Sequence, residues 1–93
     1  MQECIFCKIV SGEFKSAKIW ENEEFLSILD AFPNTNGMAL VLTKKHYNSD
    51  IFGMPPDFYQ RYLLAGQKVA HLLEKGLGVQ RVGLVIEGMA INH

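Results

Sequence analysis

Two cysteines near the N-terminus have the spacing that most clearly suggests chemistry. Cys4 and Cys7 form a C-x-x-C pair, which can supply two thiolate ligands to one zinc ion from a single turn of chain. Zinc prefers four sulfur or nitrogen ligands in a tetrahedron, so two more must come from distant segments. The candidates are His46, which follows an apolar strand, and His93, the last residue. The third histidine, His71, falls on the polar face of a predicted helix and is expected at the surface.

The C-x-x-C spacing on its own leaves two other interpretations open. One is a thioredoxin-like redox pair, although that motif usually follows a β-strand and no strand is predicted before Cys4. The other is a pair of ordinary buried cysteines, since free cysteine packs like a small apolar residue.

A second group of residues has the chemistry of a small-molecule site. Asp30 ends an apolar strand, where a carboxylate can accept hydrogen bonds from the hydroxyls of a sugar; the alternative is a turn or capping aspartate. Apolar residues that could wall a pocket for a flat base, or simply form core, are Ile5, Phe6, Phe25 and Leu26. Glycine-rich phosphate-binding loops are absent from the sequence.

Composition narrows the class of protein. The chain has 93 residues, which we treat as one domain spanning residues 1–93, with 48% hydrophobic and 20% charged residues and a net charge of −1. Near-neutral charge argues against a nucleic-acid partner, and no apolar run is long enough to cross a membrane. Without a secretory leader, we expect a cytoplasmic protein.

The elements that must position these residues can be predicted from periodicity. Residues 4–10 are predicted to form a helical turn or a short strand, and residues 17–21 and 25–30 to form a β-hairpin. The apolar run from Gly37 to Thr43 is typical of a strand covered on both faces, which predicts a central position in the sheet.

The second half of the sequence predicts one long helix followed by a strand. The helix is predicted to start at Pro55-Pro56-Asp57 and to be ended by Gly76 and Gly78. Its apolar face is wide enough to contact both the sheet and a partner subunit. A last strand is predicted over residues 82–86, with a turn at residues 87–88. This order indicates an α+β domain with a largely antiparallel sheet.

Taken together, the motifs resemble those of the histidine-triad (HIT) family. The resemblance covers almost the whole chain in family order and is carried by Cys4-Ile-Phe-Cys7-Lys-Ile-Val, Ala17-Lys-Ile-Trp-Glu, Phe25-Leu-Ser-Ile-Leu-Asp30-Ala-Phe-Pro33, Gly37-Met-Ala-Leu-Val-Leu-Thr-Lys-Lys-His46, Val82-Gly-Leu-Val-Ile-Glu-Gly88 and Asn92-His93. It departs from the family at Met38, where many members carry histidine, and at Thr43, where proline is common. Phosphate-contacting residues of some members are replaced by Ile86 and Ala90.

The resemblance implies a HIT-like antiparallel sheet with one long helix, assembled into a homodimer, and a purine-nucleotide pocket beside the sheet. It implies Ile5, Phe6 and Phe25 as residues of the base pocket and Asp30 as the ribose-binding acid. It also implies a complete zinc site from the C-x-x-C pair, His46 and His93.

The family's chemistry is the transfer or hydrolysis of nucleotidyl groups by attack of the middle histidine of an H-x-H-x-H cluster. His93 matches only the first histidine of that cluster, so no catalytic residue is predicted within the chain, and the terminal strand of the family fold is expected to be missing. Three hypotheses follow: an incomplete HIT hydrolase or transferase, a zinc-stabilised nucleotide-binding module without catalysis, or a zinc-dependent interaction protein without a ligand.

Overall fold

The computed structural model describes residues 4–30, 37–86 and 93. Within them an antiparallel three-stranded sheet in the order β1-β2-β3 is combined with a short and a long helix, which confirms the α+β class. The elements in chain order are α1 (Ile5–Ser11), β1 (Lys18–Glu21), β2 (Phe25–Leu29), β3 (Ala39–Thr43), a short 3₁₀ helix (Ile51–Gly53) and α2 (Pro56–Leu77).

The predicted hairpin is confirmed, and an asparagine explains its turn. The side-chain oxygen of Asn22 accepts hydrogen bonds from the backbone N–H groups of Glu24 and Phe25 at 2.9 and 2.8 Å. This Asx-type turn reverses the chain after β1, so that β2 pairs antiparallel with it.

The prediction that residues 37–43 form a central strand is wrong for the described part of the chain, because β2 lies in the centre and β3 at the edge. The apolar run is nevertheless explained, since β3 is covered on both faces: Val41 packs with the α2-side core and Leu42 with the α1-side core. Coverage of two faces does not require a strand on both edges, and the sequence pattern reports only the faces.

Two separate clusters of buried residues form the core, one on each face of the sheet. On the α2 side, Phe25 packs with Phe58 and Ala65. On the α1 side, Leu26, Ile28 and Leu42 are buried, and Phe6, Ile9 and Val10 of α1 pack against them. Along β2, the odd-numbered side chains therefore face α2 and the even-numbered side chains face α1.

The long helix is confirmed close to its predicted bounds. It begins at Pro56, which loses no hydrogen bond in the first turn, and it is capped by Gly78 in the left-handed conformation at φ 67°. Arg61 donates to both carboxylate oxygens of Glu24 at 2.8 and 3.0 Å, which ties α2 to the hairpin turn. No helix within the described ranges is long and apolar enough to cross a membrane.

The predicted strand over residues 82–86 is not formed. This segment has no regular secondary structure and pairs with no described strand, and the side chains of Leu84 and Val85 are 64% and 86% exposed. A strand requires a neighbouring backbone with which to exchange hydrogen bonds, and an apolar β-branched sequence does not supply one. The turn predicted at residues 87–88 lies outside the described residues.

Candidate metal centre and adjoining cleft

The two cysteines are brought together by the start of α1. Cys4 is the residue before the first helical turn, with an extended backbone and no side-chain capping bond, and Cys7 is the third helical residue. Side chains at these two positions lie on the same side of a helix start, as the capping-box pairing shows for other residue types. The helical alternative for residues 4–10 is therefore the one observed, and it directs both sulfurs to one point.

The two histidines reach the same point from the sheet. His46 lies three residues beyond the end of β3, and its Nδ1 is 3.3 Å from the Cys7 sulfur. His93 has its Nδ1 3.3 Å from the Cys4 sulfur and 3.6 Å from the Cys7 sulfur. The two imidazole rings are nearly perpendicular, with centroids 5.2 Å apart.

These four side chains form a set of metal ligands by chemistry and by distance. One ligand atom from each of Cys4, Cys7, His46 and His93 lies within 4.8 Å of all the others. Bond lengths of about 2.3 Å for zinc–sulfur and 2.0–2.1 Å for zinc–nitrogen put tetrahedral sulfur and nitrogen ligands about 3.5 Å apart. The sulfur–nitrogen distances of 3.3 to 3.6 Å fit that value. The residues present therefore fit a tetrahedral zinc ion.

The hydrogen bonding of His93 prepares it to coordinate through Nδ1. Its Nε2 lies 2.7 Å from the backbone oxygen of Thr43, which can only accept, so Nε2 carries the proton. The lone pair is then on Nδ1, the nitrogen that faces both sulfurs. Burial lowers the pKa of His93, the hydrogen bond to Thr43 opposes this, and the charge on His46 lowers the pKa further. The neutral imidazole is the form that binds metals.

The two cysteine thiols must lose their protons to bind a metal, and their surroundings oppose this. Burial raises the pKa of Cys7, and a hydrogen bond and a charge interaction with Cys4 raise it further. Two thiolate sulfurs within 4.8 Å of each other repel. A divalent cation bound between them would offset this repulsion.

A cleft of about 440 Å³ follows the outer edge of β3 beside the metal ligands. Hydrogen bonds from the Asp30 N–H to the Met38 oxygen and from the Lys44 N–H to the Glu24 oxygen turn the even-numbered backbone groups of β3 toward β2. The odd-numbered groups therefore face outward into the cleft. The cleft is also lined by Leu84, Val85 and Ile86 and by residues of α2.

The predicted nucleotide-binding residues separate into two pairs. Phe6 and Asp30 line the cleft, and the Phe6 ring also makes an edge contact with His93 at a centroid distance of 5.7 Å. Phe25 is 1% exposed and stacks on Tyr62 in the α2-side core, on the opposite face of the sheet from Phe6. Ile5 is 45% exposed and is not part of the cleft lining.

Two residues of this region were not predicted from the sequence. The Tyr62 hydroxyl donates to the Val41 oxygen at 2.9 Å, and Thr43 accepts from His93. Neither contact has a local signal in the sequence, because the bond to Thr43 uses a backbone oxygen that any residue would supply and the contact of Tyr62 depends on how α2 crosses the sheet. His71 is exposed and pairs with Glu74, as expected for a surface histidine.

Solved structures share this fold over most of the chain. A protein from Streptococcus mutans superposes with a TM-score of 0.84 at 30% identity, covering 97% of this chain and 58% of its own. A Zn-bound histidine triad family protein from Mycobacterium smegmatis superposes with a TM-score of 0.81 at 36% identity, covering 94% of this chain and 63% of its own. The chain thus spans about three-fifths of the length of these solved relatives.

Sequence comparison gives the same result. A HIT-like protein of Methanocaldococcus jannaschii is 35% identical over 97% of this chain and 72% of its own length. The adenylylsulfatase HINT3 of Arabidopsis thaliana is 28% identical over 95% of this chain and 44% of its own length. The HIT domain family matches residues 11–91, and the chain therefore belongs to that family.

Proposed function

We propose that this chain is a zinc-stabilised, purine-nucleotide-binding HIT protein. The observation that carries the proposal is the convergence of Cys4, Cys7, His46 and His93 within 4.8 Å. The nucleotide is proposed to bind in the cleft beside that centre.

Zinc suits this site better than other common metals. Two sulfur and two imidazole ligands in a tetrahedral set favour zinc over calcium or magnesium, which prefer oxygen ligands. With four protein ligands, no coordination position is left for water or substrate, so zinc would have a structural role here. The Zn-bound relative from Mycobacterium smegmatis supports the assignment.

The nucleotide assignment depends on the cleft and on relatives. The cleft combines an aromatic ring, Phe6, with a carboxylate, Asp30, and has a volume typical of small-molecule sites. The plant relative's name denotes activity on an adenylyl compound, which favours an adenine nucleotide as the first ligand to test. Phe25 is not proposed as a base contact, because its ring is buried in the α2-side core, on the other face of the sheet from Phe6.

Metal binding is tested by titrating the metal-free 93-residue chain with Zn²⁺ and by native mass spectrometry. We expect one zinc per chain in the wild type and in His71→Ala, a matched control that removes a surface histidine. His46→Ala and Cys4→Ser should bind zinc at least tenfold more weakly, because each loses a ligand. Equal zinc affinity in all four proteins would contradict the proposed site. Disulfide reductase activity of the metal-free protein would favour the redox interpretation instead.

Nucleotide binding is tested by thermal denaturation of the zinc-loaded chain with AMP. Ligand at about 100 times its dissociation constant should raise the unfolding free energy by about 2.7 kcal/mol. If Asp30 binds the ribose, Asp30→Asn and the use of 2′,3′-dideoxy-AMP should each reduce the shift, and their combination should reduce it no further. A variant with an exposed carboxylate removed elsewhere, Asp57→Asn, should retain the AMP-dependent shift.

The homodimer also remains a proposal. Leucines of α2 stay accessible in the single chain, with Leu64 at 62% and Leu77 at 50% exposed. Sedimentation equilibrium should give twice the chain mass of 10.5 kDa, and Leu64→Lys should shift the protein toward monomer if α2 is in the interface. A monomer at all concentrations would contradict the proposed dimer.

The alternative function is a zinc-stabilised interaction module without a nucleotide. Zinc binding with no AMP-dependent change in melting temperature, in either oligomeric state, would favour this alternative.

A further inference from the structure

Thr43 lies next to both candidate histidine ligands: it is hydrogen-bonded to His93, and it ends the strand that leads to His46. It is the last residue of β3, is 8% exposed and lies opposite Phe25 of β2. The N–H of the next residue, Lys44, donates to the Glu24 oxygen at 2.8 Å, so the backbone at Thr43 is fixed by the sheet. Its carbonyl oxygen accepts from His93 Nε2 at 2.7 Å. Its side-chain hydroxyl donates to the Lys45 oxygen at 2.7 Å.

The hydroxyl bond closes the turn that leads to His46. The chain leaves β3 at Thr43 and must present an imidazole three residues later, where Nδ1 lies 3.3 Å from the Cys7 sulfur. His46 itself is exposed, so packing does little to restrict it. A local side-chain bond between Thr43 and the Lys45 carbonyl restricts the backbone immediately before His46.

We infer that Thr43 is a positioning residue for the metal centre: its hydroxyl sets the direction of His46, and its carbonyl sets the tautomer and orientation of His93. This inference rests on the proposed zinc site. Groups outside the ligand set that orient metal-binding histidines are typically worth 10- to 100-fold in metal affinity.

The test is a double-mutant cycle of Thr43→Val and His46→Ala, with Zn²⁺ affinity measured by competition with a chromophoric chelator. Valine keeps the β-branched shape that suits the strand and removes the hydroxyl. We expect Thr43→Val to weaken Zn²⁺ binding about 10- to 100-fold in the wild-type background. In the His46→Ala background it should have little further effect, because the hydroxyl acts through His46. Thr43→Ser should restore affinity to within about threefold of the wild type, because serine keeps the hydroxyl.

Co²⁺ substitution gives a readout that a purely structural role would not change. The visible absorption of the Co²⁺ protein reports tetrahedral coordination, and it should weaken in Thr43→Val and recover in Thr43→Ser. Wild-type affinity and spectrum in Thr43→Val, or an equal loss of affinity in both backgrounds, would overturn the inference while leaving the zinc site in place. A wild-type chain that binds no metal would overturn the zinc site and this inference with it.

Discussion

At the scale of single residues, Ser27 is the clearest case of a polar group without a partner in the described structure. Its side chain is fully buried in the middle of β2, and its hydroxyl has no hydrogen-bond partner among the described residues. An unsatisfied buried hydroxyl costs about 1–3 kcal/mol, and its removal is nearly neutral or stabilising. We therefore expect Ser27→Ala to leave the unfolding free energy unchanged or to raise it by about 1 kcal/mol, measured by urea denaturation.

The matched control for Ser27 is Ser11→Ala at the end of α1. That exposed hydroxyl donates to the Lys8 oxygen at 3.1 Å, so its loss should lower the unfolding free energy slightly. A fall of more than about 1 kcal/mol for Ser27→Ala would show that the buried hydroxyl has a partner after all.

The candidate metal ligands could be named from the sequence because ligand chemistry is limited to a few residue types. Their convergence needed a fold, and the family resemblance implied one. The position of Phe25 was accessible from strand periodicity alone: it is five residues from Asp30, and an odd separation along a strand puts two side chains on opposite faces. The hydroxyl of Thr43 had no such signal, because its bond depends on the path of the turn after β3.

At the scale of elements, Gly37, just before β3, lies close to the Leu77 side chain at the end of α2. Gly37 has φ 80°, and a Cβ atom built there would lie 2.3 Å from a methyl carbon of Leu77. Gly37→Ala should lower the unfolding free energy by more than Gly12→Ala. Gly12 also has a positive φ, of 88°, but a Cβ atom built there would meet nothing within 4 Å. Backbone strain alone accounts for about 1–2 kcal/mol.

The two glycine variants separate strain from steric overlap, and both are measured by denaturant titration. Shortening the side chain in Gly37→Ala/Leu77→Ala should bring the loss close to the sum of Gly12→Ala and Leu77→Ala. Equal losses for the two single glycine variants would mean that Leu77 moves aside at no cost.

A second element-scale prediction concerns the ends of the strands. Glu21 of β1 pairs with Lys18 at 2.7 Å and with Lys44, just beyond β3, at 2.8 Å. Hydrogen bonds from Lys18 and then Lys44 lower the pKa of Glu21 from 4.5 to about 2. The folded state thus prefers the ionised carboxylate, so the stabilisation is present above pH 4.5 and disappears as the pH falls toward 2.

This pH dependence is measured as the difference in urea midpoint between metal-free wild type and Glu21→Gln. The wild type should be the more stable protein at pH 6, and the difference should shrink between pH 4.5 and pH 2. Addition of 1 M salt at pH 6 should also shrink it, because exposed ion pairs are screened. A difference that is independent of both pH and salt would exclude the ion pairs as its source.

The hairpin and α2 were predictable because their signals are local: a turn residue, a two-residue alternation, and a proline and a glycine at the helix ends. The edge position of β3 among the described strands, and the lack of a described partner strand for residues 82–86, were not predictable, because strand pairing is a property of two segments. The apolar residues of β3 indicate burial of its faces, and they carry no information about which neighbour occupies its edge.

At the scale of the whole molecule, the two sides of the sheet depend on different interactions. The α2 side is held by Phe25, Phe58 and Ala65 and by the paired Arg61 and Glu24. On the other side, α1 has seven residues, none of which is buried. A helix of that length is unstable by itself in water. It is held by partial burial of Phe6, Ile9 and Val10, and the proposed zinc site would add bonds from the thiols of Cys4 and Cys7.

Removal of the metal should therefore loosen one side of the molecule before the other. We expect chelation to speed backbone hydrogen exchange in α1 and around His46, because a metal links these segments to His93 and to β3. Exchange in the middle of α2 and in β2 should change little, since their contacts do not involve the ligands. Cys7→Ser without chelator should reproduce the pattern, and His71→Ala should not. Equal acceleration on both sides of the sheet would mean that the metal stabilises the whole fold equally. The conclusion that only the α1 side depends on the metal would then be wrong.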